Sequence, residues 1–385
     1  MKPLYLDHNA TTPLRPEARD AWLDAVDRLQ GNPSSVHAAG REARALVDEA
    51  RERVAGALEV LEDEILFTSG GTESDNLAIL GGMASLSPGA RLITTSVEHP
   101  AVLEAVRPLE AAGTVVKRIG VQTSGHVDPE QLVEACQPGD MLATMAANNE
   151  IGTITDLAAL SARLEHTFGS QRPLFFTDAV QALGRIPVRL KDWGVDLAAF
   201  SAHKVGGPPG VGLLYRKQGT PLEPRQWGGG HEGGLRAGTE NVPGIVSASI
   251  AMELAVKEQE TYAEHTRELL IHLWQQLVEN IPEVRCNGPQ VQDPLRLPNT
   301  LNIHLPQTEG LVLITRLDLL GLQASAGSAC ASGSLEPSHV LKALGMSDQQ
   351  ARAGLRISFA LTTTKSVINS AVEILSRICA SRHNC

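Results

Sequence analysis

At 385 residues the chain exceeds one ordinary domain, which predicts two or three domains or one large α/β unit with an appendage. Hydrophobic residues at 42% and charged residues at 20% supply a large core and exclude bulk disorder. A formal charge of −11 without any block of Lys and Arg excludes a general nucleic-acid or anionic-membrane binder, and no apolar run approaches the roughly 20 residues of a bilayer span. The opening Met1-Lys2-Pro3-Leu4-Tyr5-Leu6-Asp7 meets an acid too early for a signal-peptide core. Cys136, Cys286, Cys330, Cys379 and Cys385 are scattered and never spaced as CxxC, which argues against a disulfide framework and a zinc knuckle. The expectation is a soluble, cytoplasmic, reduced α/β enzyme.

In chain order, residues 64–68 read as a strand, followed by the turn Ser69-Gly70-Gly71 and a helix from Thr72. Residues 91–95 and 141–145 are further strands, and 174–177 and 197–200 continue the series. Strands this apolar belong to a mostly parallel sheet covered on both faces. Residues 211–215 close it as an antiparallel partner. Around Gln226-Trp227-Gly228-Gly229-Gly230-His231 the texture turns to a Gly-rich loop. One long helix is expected over about 246–278, apolar at Ile250, Leu254 and Val256, then at Leu269, Leu270, Leu273 and Leu277. Residues 301–304, 310–320 and 355–359, with a last helix from about Lys365, form a smaller α+β domain whose boundary falls inside the long helix.

Four segments carry chemistry. Thr68-Ser69-Gly70-Gly71-Thr72-Glu73-Ser74-Asp75-Asn76 follows a strand and opens a helix, so free N–H groups face an anion there. It is neither GxGxxG nor a P-loop, which weakens nicotinamide and nucleotide readings. The competing reading is a plain helix start with Thr72 and Asp75 as a capping pair. Asp178, in Asp178-Ala179-Val180-Gln181, ends an apolar strand, where ligands of open α/β sheets bind. A carboxylate there calls for a cationic partner such as a protonated ring nitrogen, with Gln181 in reach of a ring substituent. Ser201-Ala202-His203-Lys204 follows another buried strand and runs into a Gly- and Pro-rich turn. A lysine in that setting has a depressed pKa and suits a Schiff base, while Ser201 and His203 add phosphate donors. Phosphate cradle, strand-end Asp and strand-end Lys together match the needs of pyridoxal 5'-phosphate. In Leu355-Arg356-Ile357-Ser358-Phe359 the apolar residues alternate to one face and leave Arg356 on the other, where its guanidinium fork suits a carboxylate. His8, His37, His126, His231 and His304 form no metal-ligand spacing, so no resident metal is expected.

With these strings in hand, the chain resembles the cysteine desulfurases of the NifS/IscS type, in the class V branch of pyridoxal-phosphate fold type I enzymes. The resemblance runs nearly end to end. It also rests on Tyr5-Leu6-Asp7-His8-Asn9-Ala10-Thr11-Thr12-Pro13, Gly31-Asn32-Pro33-Ser34-Ser35-Val36-His37, Glu98-His99, Asn148-Asn149-Glu150-Ile151-Gly152 and Arg236-Ala237-Gly238-Thr239. Ala326-Gly327-Ser328-Ala329-Cys330-Ala331-Ser332, then Leu335-Glu336-Pro337-Ser338, is its most specific part.

The resemblance implies a large cofactor domain over 15–257 with a mostly parallel seven-stranded sheet. It assigns residues 1–14 and 258–385 to a small domain that carries the cysteine loop. It implies Lys204 as the lysine that bonds the cofactor, with Gly71, Thr72, Ser201 and His203 on its phosphate and Thr239 reaching the phosphate of a neighbouring subunit. Asp178 takes the ring nitrogen, Gln181 the ring hydroxyl, and His99 stacks on the ring, where an imidazole also moves protons near neutral pH. Asn149 serves cofactor and substrate, and Arg356 the substrate carboxylate. The implied reaction converts L-cysteine to L-alanine and leaves a persulfide on Cys330, which also suits transient ligation of an iron–sulfur cluster. The implied partners are a second copy of the chain and a sulfur acceptor or scaffold protein of iron–sulfur assembly or tRNA thiolation, with no nucleic acid or membrane bound directly. Rival readings are another class V enzyme (aminotransferase or selenocysteine lyase) and a non-catalytic assembly scaffold. A dedicated aminotransferase has no need of Cys330 in a segment of small and polar residues, and a scaffold has none of Lys204, Asp178 and His99.

Overall fold

The computed structural model describes residues 3–305, 310–326 and 336–380. Its large sheet has seven strands in the spatial order Ile65–Thr68, Gly212–Arg216, Leu197–Ser201, Leu174–Asp178, Met141–Ala143, Leu92–Thr95 and Val116–Ile119. Gly212–Arg216 is antiparallel to both its neighbours, and the other pairs are parallel. The expected apolar strands are therefore present, with the reversed partner where the pattern placed it. The mostly parallel seven-stranded sheet that the resemblance implies is present, and its seventh strand is Val116–Ile119, which the apolar pattern does not mark.

Period-two alternation divides each strand between two cores. Ile65, Phe67, Phe175, Ala198, Phe200, Leu213 and Tyr215 face the helices Ala38–Leu58, Leu157–Phe168 and Val242–Lys257. Leu66, Phe176, Leu197, Ala199 and Leu214 face the other way, onto Pro100–Ala111 and the Leu77–Gly81 turn. Both faces are covered, as parallel sheets require.

A second core gathers Leu269, Leu273, Leu301, Ile303, Leu355, Ile357, Leu375 and, from the N-terminus, Leu6. Its antiparallel sheet runs Ser325–Ala326, Gly354–Ser358, Thr300–His304, Arg285–Asn287, and Leu4–Tyr5 pairs in parallel with Leu322–Gln323. The single long helix expected near 246–278 is two helices, Val242–Lys257 and Gln259–Asn280. The first buries its apolar residues in the sheet core and the second in the smaller core. One straight helix does not serve both, and the axis breaks at Glu258, whose carboxylate is held 2.7 Å from Arg15. Among the described residues, no helix is long and apolar enough to cross a membrane.

Candidate active site

The carboxyl ends of neighbouring parallel strands converge, and the candidate residues emerge there. Asp178 is the last residue of its strand, and Ser201 ends the next, leading into a tight turn over Ala202–Lys204. His99 follows Leu92–Thr95 and caps the helix Pro100–Ala111, its Nδ1 accepting from the Ala101 N–H at 3.1 Å. Asn149 lies in the loop after Met141–Ala143. Open α/β sheets bind their ligands at this edge.

Lys204 donates from Nζ to the carbonyls of Asn9 and Ala10, both at 2.8 Å. Its own carbonyl accepts from Thr12 Oγ1 at 3.1 Å. The amine is thus held by the N-terminal segment, which enters from the smaller sheet. Asn9 is the hub of that segment, and the sequence reading assigned it no role. Its carbonyl also accepts from Gln181 Nε2 at 3.1 Å, and its amide donates to Thr300 Oγ1 at 2.9 Å and to the Asn149 carbonyl at 3.1 Å. The only signal for Asn9 was its place in the Tyr5–Pro13 string.

Asp178 is buried, and burial pushes its carboxyl up, opposed by the Val180 N–H at 2.9 Å and the charge of Lys204. The ring of His99 is pushed down to about 4 by burial and by the charges of Lys204, His339 and Arg356. Nδ1 is occupied as an acceptor, so neutral His99 carries its hydrogen on Nε2. The sequence reading expected this ring to titrate near neutrality; with the site in this state it is neutral there.

Asp75 is the other residue that composition and spacing misjudged. The helix Gly71–Asn76 begins at Gly70 with no side-chain cap, and Asp75 points inward. The reach back to the turn comes from Glu73, which accepts the Ser69 N–H at 2.7 Å and pairs with Arg236 at 2.8 Å. One oxygen of Asp75, one of Asp178 and a ring nitrogen of His99 lie within 4.8 Å of one another. The expectation of no metal site rested on histidine and cysteine spacing, which does not register this trio.

On the anion side, Gly71, Ser201 and Val180 crowd together: a Cβ on Gly71 would lie 2.8 Å from Val180 Cγ2 and 3.5 Å from Ser201 Cβ. A Cβ on Gly212 would meet the Gly70 backbone at 2.5 Å, so glycine there lets the turn lie against the antiparallel strand. Thr72 is exposed beside this turn, and His203 Nδ1 shares a hydrogen with Thr11 Oγ1 at 3.2 Å. Thr239 is exposed in the loop carrying Arg236.

Arg356 is 2% exposed, donating from Nη2 to Asp7 Oδ1 at 2.7 Å and from Nη1 to the Asn149 carbonyl at 3.0 Å. Its Nε is buried without a partner among the described residues. Cys330 and Cys385 lie outside the described residues. The chain on either side of Cys330 is anchored at the site. Ser325 is in register with Arg356, and Ser338 donates to Glu150 Oε2 at 2.5 Å, one residue from Asn149. His339 then donates from Nε2 to the Glu98 carbonyl at 2.9 Å. The Cys136 thiol is buried and pushed up to about 12, and burial also raises that of Cys286, so neither is a ready thiolate.

Pyridoxal phosphate fits this donor set. Asp178 offers an anionic oxygen for a ring nitrogen, Lys204 an amine, and Gln181 Oε1 is buried with no partner among the described residues. Ser201 and the turn at Gly71 lie against each other, with His203 two residues beyond Ser201.

Comparison with known proteins agrees. Residues 4–370 match the family model described as aminotransferase class-V. A protein of Dictyoglomus turgidum named cysteine desulfurase IscS is 44% identical over 97% of this chain and 94% of its own length. Another so named, from Methanosarcina thermophila, is 39% identical over 100% and 93%. A solved structure titled NifS-like protein superposes with a TM-score of 0.89 at 35% identity, covering 98% of this chain and 100% of its own. One titled SspA in complex with cysteine gives 0.78 at 30%, covering 94% and 99%.

Proposed function

This chain belongs to the class-V aminotransferase family, and from that premise we propose that it is a cysteine desulfurase acting on L-cysteine. The net reaction transfers the substrate sulfur to the Cys330 thiol, giving a persulfide and L-alanine. The substrate's carbon–sulfur bond breaks as the sulfur–sulfur bond forms, and the alanine carbon keeps the electron pair and takes a proton. The observation that carries this reading is that Ser325 and Ser338, on either side of Cys330, are fastened beside Arg356 and Glu150, at the site of Lys204 and Asp178.

Pyridoxal phosphate, when bound, supplies an electron sink that acidifies the substrate Cα–H and loosens its carbon–sulfur bond. Lys204 Nζ is the amine that would bond it, and the same nitrogen, when free, would be the base that moves the substrate Cα proton. Asp178 would hold the ring nitrogen, Gln181 the ring hydroxyl, and Gly71, Thr72, Ser201 and His203 the phosphate. His99 would cover the ring with its Nε2–H as a donor. Arg356 and Asn149 orient the substrate carboxylate, and the unpartnered Nε leaves the guanidinium a free donor for it. A free thiol with a pKa of roughly 8.5 is partly ionised near neutrality, so Cys330 needs only modest help to act as thiolate.

The same reading makes the protein a homodimer in which Thr239, exposed on its loop, meets the partner's cofactor phosphate. A monomeric holoprotein in sedimentation would end that part of it. It places the enzyme in the cytoplasm and hands sulfur to an acceptor or scaffold protein of iron–sulfur assembly or tRNA thiolation, with Cys330 a transient ligand to a cluster. It divides the chain into a cofactor domain, 15–257, and a small domain of 1–14 and 258–385, supported by the helix break at Glu258 and by Leu6 in the smaller core. The central test is Cys330→Ala. Treated with L-cysteine, the wild type should gain one sulfur on the peptide containing Cys330. The variant should bind cofactor and substrate spectrally yet release neither alanine nor sulfide. Normal alanine release by the variant would rule out this route for the sulfur.

A further inference from the structure

The site holds one acid more than this mechanism uses. Asp75 sits on the helix after the Gly-rich turn, on the face that also buries Ser74, Ala78 and Ile79, and its side chain is 1% exposed. Its Oδ1 has no partner among the described residues. Its acidic neighbours are Asp178 and, from the loop after Leu92–Thr95, Glu98. Asp178, by contrast, faces Lys204 and accepts the Val180 N–H. Glu98 is a separate case: its Oε1 accepts from Thr95 Oγ1 at 2.7 Å and from the Met145 N–H at 3.1 Å, and burial pushes its own carboxyl up to about 8.

Two carboxyls this close in a buried site do not both ionise, and the proton goes to the one with less cationic and hydrogen-bonding support. That one is Asp75, and burial together with Asp178 and Glu98 raises it well above the usual carboxylate range. A metal ion is the other occupant the spacing would admit. His99 argues against it, because Nδ1 is spent on the Ala101 N–H and Nε2 bears the hydrogen, leaving no free lone pair.

We propose that Asp75 is a positioning residue, protonated at neutral pH, that donates its carboxyl hydrogen to Asp178 and so aims one anionic oxygen of Asp178 at the cofactor's ring nitrogen. The role of Asp178 rests on the cofactor reading above; the protonation of Asp75 is a property of the chain alone. The two are tested separately. Glu98 and Glu150 are also buried and pushed up, to about 8 and about 7, so the reading is a difference: the infrared spectrum of wild-type apoprotein minus that of Asp75→Asn near neutral pH should contain one protonated-carboxyl C=O band. If the difference spectrum lacks that band, Asp75 is ionised and the proposal is wrong. Stability supplies a second reading on the apoprotein. A raised carboxyl pKa adds stability that is full below the unfolded value and is lost as pH rises toward the folded one. The melting temperature of Asp75→Asn should therefore gain on the wild type as pH climbs above about 4, and a pH-independent difference counts against it. For positioning, the Asn amide can donate to Asp178 from the same place, so its Kd for pyridoxal phosphate should stay within about threefold of wild type. Asp75→Leu, checked for folding by its apoprotein melting curve, should weaken binding about ten- to hundredfold and shift the pH at which the bound cofactor's absorbance changes. Wild-type affinity and an unmoved spectrum in Asp75→Leu would overturn the positioning role. A melting temperature raised by Zn2+ in wild type but not in Asp75→Asn would overturn it in favour of a metal site. Failure of the wild type to take up pyridoxal phosphate would instead condemn the cofactor reading.

Discussion

Replacing Arg356 by Lys keeps one positive charge and removes the fork. In the free site the guanidinium spends Nη2 on Asp7 and Nη1 on the Asn149 carbonyl, at 2.7 and 3.0 Å, and keeps Nε without a partner among the described residues. A lysine ammonium has three hydrogens and no fixed plane, so serving Asp7 and Asn149 leaves one poorly aimed donor for a substrate carboxylate. Losing one charge-assisted hydrogen bond costs roughly 1.5–3 kcal/mol, which is about a ten- to hundredfold rise in KM. The carboxylate lies away from the breaking bonds, so ground state and transition state lose alike, and kcat should change little. The assay is alanine formation against L-cysteine concentration, with cofactor absorbance showing that each preparation is loaded. Arg356→Ala should do more, since it strands Asp7, whose side chain is 18% exposed beside an arginine that is 2% exposed. Breaking a buried pair costs roughly 3–5 kcal/mol, and the partial exposure of Asp7 puts the expected loss near the lower figure. An unchanged KM in loaded Arg356→Lys would refute the placing of the substrate carboxylate.

Lys204→Ala should leave no cofactor that borohydride can fix to the chain, whereas the wild type should yield one pyridoxyl-labelled peptide containing residue 204; a label on another lysine would move the site. Glu150 is pushed up to about 7 by burial, opposed by the Ser338 hydroxyl and Arg356. A raised folded pKa means that stability present below the unfolded value is lost as pH rises through about 7. Glu150→Gln, which can still accept from Ser338, should therefore gain in melting temperature over wild type between pH 5 and 8, by up to about 3 kcal/mol of stability at the alkaline end; parallel curves would show that Glu150 is not the titrating group.

Much of the large sheet was legible because its strands are apolar on both faces, and a short continuous apolar run needs no tertiary information to be seen. Val116–Ile119 escaped for the opposite reason. It is an edge strand whose central Lys117 and Arg118 are exposed, the pattern by which sheet edges avoid further pairing, and in sequence it looks like a loop. The two-residue strand Leu4–Tyr5 is too short to show any period, yet it ties the N-terminus to Leu322–Gln323. The break at Glu258 was hidden because helical periodicity reports which residues are buried, not against which core.

The site divides along the same line. Asp178, Lys204 and Arg356 were readable since a charged group at the end of a buried strand is costly without a partner, and the cost itself marks the residue. Asp75 carried a subtler mark. It lies three and four residues before Ala78 and Ile79, on the apolar stripe of its helix rather than on the solvent side, and a cap assignment ignores that stripe. Asn9 carried none beyond its place in the Tyr5–Pro13 string, because its function is to join pieces distant in sequence. Through one amide and one carbonyl it connects Lys204, Gln181, Asn149 and Thr300, from both sheets. Such a hub is specified only by where the chain returns. A side chain that touches both cores makes the spacing between the cofactor-bonding lysine and the substrate-binding arginine depend on how the two sheets pack. The short strand at the N-terminus is thus part of the active-site geometry, though nothing in its own few residues announces chemistry.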